Sequence, residues 1–477
     1  MPAENTLTRK IGLWTTVSLV AGSIIGSSIF MKPAVMAGQL GSPLLLVGVW
    51  IAAGLISLIG ASINAEIGAM LPVTGGQYVF FQKMYGNFFA YLYGWAAFAV
   101  INTASVAAIA FIFSQYTEYF IHLPRFSEAI ERSWQLNIPF VGQLYPLQNA
   151  GVKALTIILV LILTLVNCKS VKAGGKVQLI SSIAKVGALI LLSGLIFFSD
   201  KGDTHHFVEQ SSTINLSGLA LVAGIITAMS GAFAAYDGWN NISFVAGEIK
   251  EPGKNIPKGL VIGLCVCILL YLLTTQAYLY ILPVDTMAIS SLVATDALEP
   301  VTGNIGAGII ALLVMVSTFG CTNGNILACP RVTFEMAKQG YFFSSISKVH
   351  PKNQTPSNAI WLHTVLICLF TFTGSFDMLT DLFVFVSWIF YGFGALGIFI
   401  LRKKMKNAER PYKAWGYPFL PLLFVVFTAF YIVMTLYTDI TNYMEGKTHF
   451  INSVFGLALT FIGAPLYFYF KKRKKEF

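Results

Sequence analysis

Between Ala21 and Ser28 the chain reads Ala-Gly-Ser-Ile-Ile-Gly-Ser-Ser, and between Gly231 and Asn241 it reads Gly-Ala-Phe-Ala-Ala-Tyr-Asp-Gly-Trp-Asn-Asn. Both segments sit inside apolar stretches longer than a bilayer requires. Glycine and small polar residues weaken a helix at such points, and a helix that breaks there exposes amide N–H groups at one new end and carbonyls at the other. The chemistry on offer is recognition, not bond making. One end suits a carboxylate and the other an ammonium, so an α-amino acid, which carries both groups on one carbon, is the ligand such a site selects. The amides of Gly26, Ser27 and Ser28 are the candidates for the carboxylate. Carbonyls near Ile24 and at Phe233, Ala234 and Ala235, with Tyr236 beside them, are the candidates for the amine. For a single segment, close helix packing through small residues would be explanation enough. Two of them, in the first and sixth apolar stretches, occupy matched positions of two five-span halves, which is the sequence pointer to a midplane transport site.

The elements that must hold these segments are membrane helices. Of the 477 residues 56% are hydrophobic and 11% charged, against roughly 25% charged in a soluble domain, so the chain cannot cover a water-facing surface of its size. Apolar runs lie near 11–37, 43–69, 88–119, 150–168, 176–198, 217–249, 258–283, 303–330, 358–374, 379–401, 417–437 and 450–470, about twelve spans at roughly 20 residues each. The fold expected is an all-α polytopic one. Residues 1–401 form an inverted-repeat core, with helices 1–5 at about 11–198 and helices 6–10 at about 217–401; residues 402–477 carry two further helices and a tail. Lysine and arginine concentrate in alternate connections, as in Lys250, Lys254 and Lys258, the run Arg402 to Lys413, and Lys471 to Lys475. By the positive-inside rule both termini face the cytoplasm, and the net charge of +10 reflects topology and anionic lipid, not nucleic acid. The first span is too long for a signal peptide and lacks a cleavage site.

The six cysteines all fall within or at the ends of apolar runs, so no disulfide framework, metal site or redox cofactor is expected. Lys185 lies about nine residues into the fifth span, at about 1.5 Å per residue too deep for easy snorkelling. An intramembrane cation is expensive and by default functional; a structural ammonium on helix-end carbonyls and a coupling role would use the same contacts. Asp237 either caps the second half of the sixth helix or meets a cationic substrate, and capping is the simpler role. Glu66 and Glu248 are expected to form ion pairs near Lys250 and Arg331.

Taken together, Gly26-Ser27-Ser28-Ile29-Phe30 with Pro33, Ala235-Tyr236-Asp237-Gly238-Trp239-Asn240, Ala65-Glu66-Ile67-Gly68 with Pro72, Phe319-Gly320 with Asn323-Gly324 and Arg331, and Arg410-Pro411-Tyr412-Lys413 resemble the amino acid-polyamine-organocation superfamily, in its L-type amino acid transporter branch. The resemblance covers spans one to eleven. It implies a LeuT-type fold of five plus five inverted helices with helices 1 and 6 discontinuous, working as a sodium-independent amino acid exchanger in a prokaryotic plasma membrane. It further implies that Lys185 takes roughly the place of sodium between the first and eighth helices, that Tyr271 responds to this region, and that Phe233, Asp237 and Asn323 are gate or helix-cap candidates. Departures stand beside it. Ser28 replaces a usual glycine, Ala234 occupies the position of the bulky gate of vertebrate members with Phe233 one residue earlier, and Thr275 stands where asparagine is common. The connection 122–149 has no cysteine, so a disulfide to a heavy subunit cannot form, and the chain is expected to act as a monomer or loose homodimer. Small pocket residues favour neutral amino acids; proton-coupled symport is the alternative, with polyamine transport or a non-transporting sensor weaker.

Overall fold

The computed structural model describes residues 11–26, 28–72, 76–169, 185–351 and 355–475. The first apolar stretch is two helices, α1 (Leu13–Ile24) and α2 (Lys32–Leu40), separated by a 3-10 turn at Ser28–Phe30. There follow α3 (Pro43–Met70), α4 (Gly76–Tyr85), α5 (Asn87–Thr117), α6 (Ala150–Lys169) and α7 (Lys185–Phe197). The sixth stretch is α8 (Gly218–Tyr236) and then a 3-10 segment, Trp239–Glu248. The remainder comprises α9 (Pro252–Ile281), α10 (Val293–Ala328), α11 (Pro330–Lys338), α12 (Ser357–Thr373), α13 (Phe376–Lys404), α14 (Phe419–Met444) and α15 (Asn452–Lys475). Among the described residues nine helical stretches are long and apolar enough to cross a bilayer, and α1, α7 and α12 are shorter apolar helices at the places of three further expected spans.

Local chemistry explains the boundaries. Ser42 caps α3 by accepting from the Leu45 amide at 3.4 Å, with Pro43 in the first turn, where a missing N–H costs nothing. Gly41, at φ 62°, ends α2 in the left-handed region, and a Cβ there would fall 2.6 Å from Ile214. Ser375 caps α13, whose last turn carries Arg402, Lys403 and Lys404, cations that suit the negative end of the helix dipole. One boundary differs from the sequence expectation: the seventh span starts at Pro252, because that proline takes the first helical turn. In α10 a first helical segment from Val293, with Pro300 inside it, meets the expected eighth span at a kink, where Gly303 is non-helical at φ 66° and ψ −174°.

Small residues let the helices approach. Gly259 and Gly263, four apart on α9, face α1: a Cβ at the first would lie 2.4 Å from Thr16 and at the second 2.7 Å from Val20. α1 is thus seated in a glycine groove of α9, while α8 packs on α2 and α3, α10 on α5, and α13 on α5, α14 and α15. One face of the bundle carries Glu66, Arg402, Lys404 and Arg410 and is the basic face; the opposite face carries Gly41, Asp285 and the connection 122–149.

That connection contains elements the sequence reading missed, a short helix Glu128–Ser133 and an antiparallel hairpin of β1 (Leu136–Ile138) and β2 (Gly142–Leu144), with Leu136 opposite Leu144. The hairpin binds the start of α15 through Gln143 N–H to His449 C=O at 2.7 Å and Ile451 N–H to Val141 C=O at 2.8 Å. On the same face of the bundle, the Asp285 carboxylate accepts from the Ser211 hydroxyl and from the Ser212 amide and hydroxyl at 3.0 and 2.8 Å. These bonds favour the charged form and hold the carboxyl below its ordinary range.

Two outcomes are expected. Gly263→Leu overpacks the α1–α9 groove and should cost about 1–3 kcal/mol, read as a lower unfolding temperature in detergent; Gly194→Leu, where a Cβ has open space, serves as the control. For Asp285, whose folded carboxyl is depressed, the stabilisation is present at neutral pH and lost as pH falls through the depressed value. The difference in melting temperature between the wild type and Asp285→Asn should therefore shrink on acidification; a constant difference contradicts the assignment.

Candidate functional site

The two breaks lie against each other. Gly238, at φ 107°, places its backbone so close to α1 that a Cβ would be 2.5 Å from the Ser23 carbonyl, so only glycine fits. On the α1 side, Ile25 leaves the helix with an extended ψ of 90°, its amide still bonded to Ala21 C=O at 2.7 Å. Gly26 is non-helical and Ser28 opens the 3-10 turn; Ser27 lies outside the described residues. On the α8 side, Asp237 is extended, φ −63° and ψ 153°.

Buried polar side chains answer the exposed backbone groups. The Tyr271 hydroxyl on α9 lies 3.0 Å from both Ile24 C=O and Ala235 C=O. A phenol has one proton, so it satisfies one carbonyl at a time and links the two breaks. Its ring is packed edge-on to Trp50 and tilted against Tyr236, at 5.6 and 5.2 Å between centroids. Lys185, fully buried, reaches from α7 to Gly22 C=O at 3.1 Å and to the Cys321 sulfur on α10. The ammonium therefore ties together the two helices between which the sequence reading placed it. On the other side of α10, Asn323 accepts from Asn167 at 2.8 Å.

Three expectations take a different form. The Asp237 carboxylate accepts from Tyr391 on α13 at 2.6 Å as well as lying against the Gly238 amide, so it ties the break to α13 in addition to meeting the next segment. Phe233 packs its ring on α13 and α14, with centroids 3.8 Å from Trp388 and 5.3 Å from Tyr431; Ala234 and Ala235 follow it, buried. Glu66 pairs with neither Lys250 nor Arg331. Arg402 grips it through two nitrogens at 2.9 and 2.6 Å, Arg410 stands at 3.8 Å, and the Ala414 amide adds a bond at 2.7 Å. The physical reason is tertiary: the last turn of α13 and the connection after it fold over the end of α3, which spacing along the chain does not reveal.

The sequence reading also missed a charge cluster on the opposite side of the breaks. Lys32, at the start of α2, donates to Asp377 at 2.6 Å, and Ser230 on α8 donates to Asp381 at 2.8 Å. The signal was present, since Lys32 and Asp381 are ionisable residues inside apolar runs, a combination that is rare without function. A surface concavity of about 770 Å³ between Tyr119 and Met315 is lined by none of the residues at the breaks and is an open apolar groove. The site is thus defined by polar geometry at the breaks.

Gly238→Ala should abolish ligand-induced thermal stabilisation and uptake, because the added methyl meets the backbone of α1, whereas Gly26→Ala, whose Cβ would approach only Ile24 C=O at 3.6 Å, should retain measurable uptake. Equal behaviour of the two variants in proteoliposomes would contradict the close approach.

Residues 11–463 match the family described as amino acid permease. The chain is 31% identical over 474 residues, 99% of each sequence, to the serine/threonine exchanger SteT of Bacillus subtilis. It is 30% identical over 416 residues to the human b(0,+)-type amino acid transporter 1, covering 86% of this chain and 80% of the relative. The human large neutral amino acids transporter small subunit 2 is 29% identical over 466 residues, 97% of this chain and 80% of that one.

Proposed function

Since the chain belongs to the amino acid permease family, in the L-type branch of the amino acid-polyamine-organocation superfamily, and is a multi-pass amino acid transporter and not an enzyme, we propose that it exchanges neutral L-amino acids across the plasma membrane, without sodium, by alternating access. The architecture proposed with this function has twelve spans, a LeuT-type five-plus-five repeat over residues 1–401, and both termini in the cytoplasm. In that orientation the basic face is cytoplasmic, as its Arg and Lys content favours.

The observation that carries the reading is the buried Lys185 ammonium on Gly22 C=O and Cys321. A charge fixed to the protein holds the first and eighth helices together, and a cation tethered in this way removes the need for a bound sodium ion. The substrate carboxylate is assigned to the amides of Gly26, Ser27 and Ser28, and its ammonium to the carbonyls of Ile24 and Phe233 to Ala235, where the Tyr271 hydroxyl yields one carbonyl by rotating to the other. Lys185 and Asp237, the charged residues described at the breaks, are both engaged by protein partners, which disfavours a charged substrate side chain there. Two of the relatives, an exchanger of serine and threonine and a transporter of large neutral amino acids, agree with a neutral substrate.

The backbone also suggests which parts move. Ile11 N–H binds Glu248 C=O at 3.0 Å and Lys250 N–H binds Ile11 C=O at 2.8 Å, joining the start of α1 to the end of the 3-10 segment. These two halves of the broken helices therefore swing as one body on the basic face, against the Glu66–Arg402 closure between α3 and α13.

In proteoliposomes, uptake of labelled L-serine should rise at least severalfold when unlabelled amino acid is inside, with neither a sodium nor a proton gradient. Uptake that requires an imposed proton gradient overturns exchange in favour of symport. Lys185→Ala should reduce exchange by an order of magnitude or more; normal transport by that variant would remove the tethered-cation argument.

A further inference from the structure

The cluster on the side of the breaks away from the basic face is built from four elements. Lys32 opens α2, Ser230 lies on α8, Asp377 and Asp381 lie one turn apart on α13, and Tyr431 comes from α14. Lys32 is buried, its stem packed near Gly231 and its ammonium 4.9 Å above the Phe376 ring as well as on Asp377. The Asp377 side chain is 52% exposed, so the cluster begins at the surface and leads inward. Asp381 accepts from the Ser230 hydroxyl, so that among the described residues Lys32 faces the two carboxylates of Asp377 and Asp381. Tyr431 is fully buried, and its hydroxyl lies beside Ser230, Asp381 and Thr435. Asp439, farther along α14, is held by the Ser453 amide at 2.9 Å. Ser230 precedes Phe233 by three residues, about 4.5 Å along a helix, so the cluster is a neighbour of the proposed substrate site and shares its helices.

We propose that Lys32, Asp377 and Asp381 form an outer subsite for the zwitterionic head of an amino acid, Lys32 receiving its carboxylate and the two aspartates its ammonium. This rests on the transport reading above and adds to it a second, sequential binding position. In the structure the Lys32–Asp377 pair closes α2 onto α13. Pulling that pair apart with nothing in between would leave the buried Lys32 ammonium without its partner, which is unfavourable for a charge out of water. A zwitterion inserted between them supplies each with an opposite charge, so no bare charge is created and the closure opens through its ligand. The Ser230 and Tyr431 hydroxyls then flank the ammonium and pass it to the carbonyls at the break of α8. The arrangement also discourages opening of the empty protein, which is the property an exchanger needs on that side.

The test is side-specific kinetics on the full-length protein in proteoliposomes of sorted orientation, with L-serine as probe. Asp377→Asn should raise the KM for L-serine offered at the Asp377-bearing face about tenfold and the KM at the basic face less than twofold, and Asp377→Glu should recover most of the loss. Lys32→Gln should show the same asymmetry. A KM at the Asp377-bearing face within twofold of the wild type, even with an increased leak of L-serine, overturns the subsite and leaves a plain latch. Equal rises at both faces overturn it as well, as does a KM defect that Asp377→Glu fails to recover. A pH dependence of that KM which Asp381→Asn abolishes assigns a proton, not the ammonium, to Asp381 and overturns the proposal. Wild-type uptake that lacks stimulation by internal substrate sinks the exchange reading, while the comparison of KM at the two faces still decides the subsite.

Discussion

A helix that stops inside an apolar slab leaves amides and carbonyls that no solvent can reach, and each such group without a partner costs several kcal/mol. Everything described at the centre of this protein follows from meeting that demand twice, side by side. Tyr271 and Lys185 are the partners supplied from α9 and α7, and both are held at the breaks and not at a separate location. The arrangement meets the demand only in part. One phenol proton between two carbonyls leaves capacity for a ligand that brings its own donors. The breaks are thus stable enough to persist and polar enough to bind.

The same demand explains why glycine is placed where it is. Gly238 brings one break against the other, and Gly259 and Gly263 seat α1 on α9. Deeper packing on either side would fix the first half-helix in place; looser packing would let water to the unpaired groups. On the basic face Glu66 with Arg402 closes α3 onto α13, and on the other face Lys32 with Asp377 closes α2 onto α13. α13 is common to both closures, while the broken helices lie between them. An element that receives a charge at each end is suited to act as the fixed partner against which the others move.

Much of this was legible in the sequence because it depends on residue type at one position. Gly26 and Gly238 mark the breaks, whereas Gly22 and Gly231 in the same segments lie inside α1 and α8, and Lys185 stands out as a charge among apolar neighbours. What was not legible depends on three-dimensional neighbours. The partner of Glu66 comes from more than three hundred residues away in the chain, so local spacing pointed to Lys250 and Arg331. Phe233 turns toward Trp388 because α8 packs on α13, and the identity of the residue says nothing of that direction. Lys32 and Asp381 are a different case, since both were visible as intramembrane charges. They were passed over because each lies near the end of an apolar run, where a charge is commonly taken for a boundary.

The hairpin at residues 136–144 has a consequence of another kind. It is fastened to the approach to α15 by main-chain groups, Gln143 to His449 and Ile451 to Val141, and main-chain bonds are indifferent to which side chains the participants carry. Gly142 is the exception, because a Cβ there would lie 2.2 Å from the His449 carbonyl. Heredity can therefore rewrite nearly every letter of this strap while its shape is passed on, so that descendants of one ancestor would come to look unalike on this face long before they ceased to be built alike.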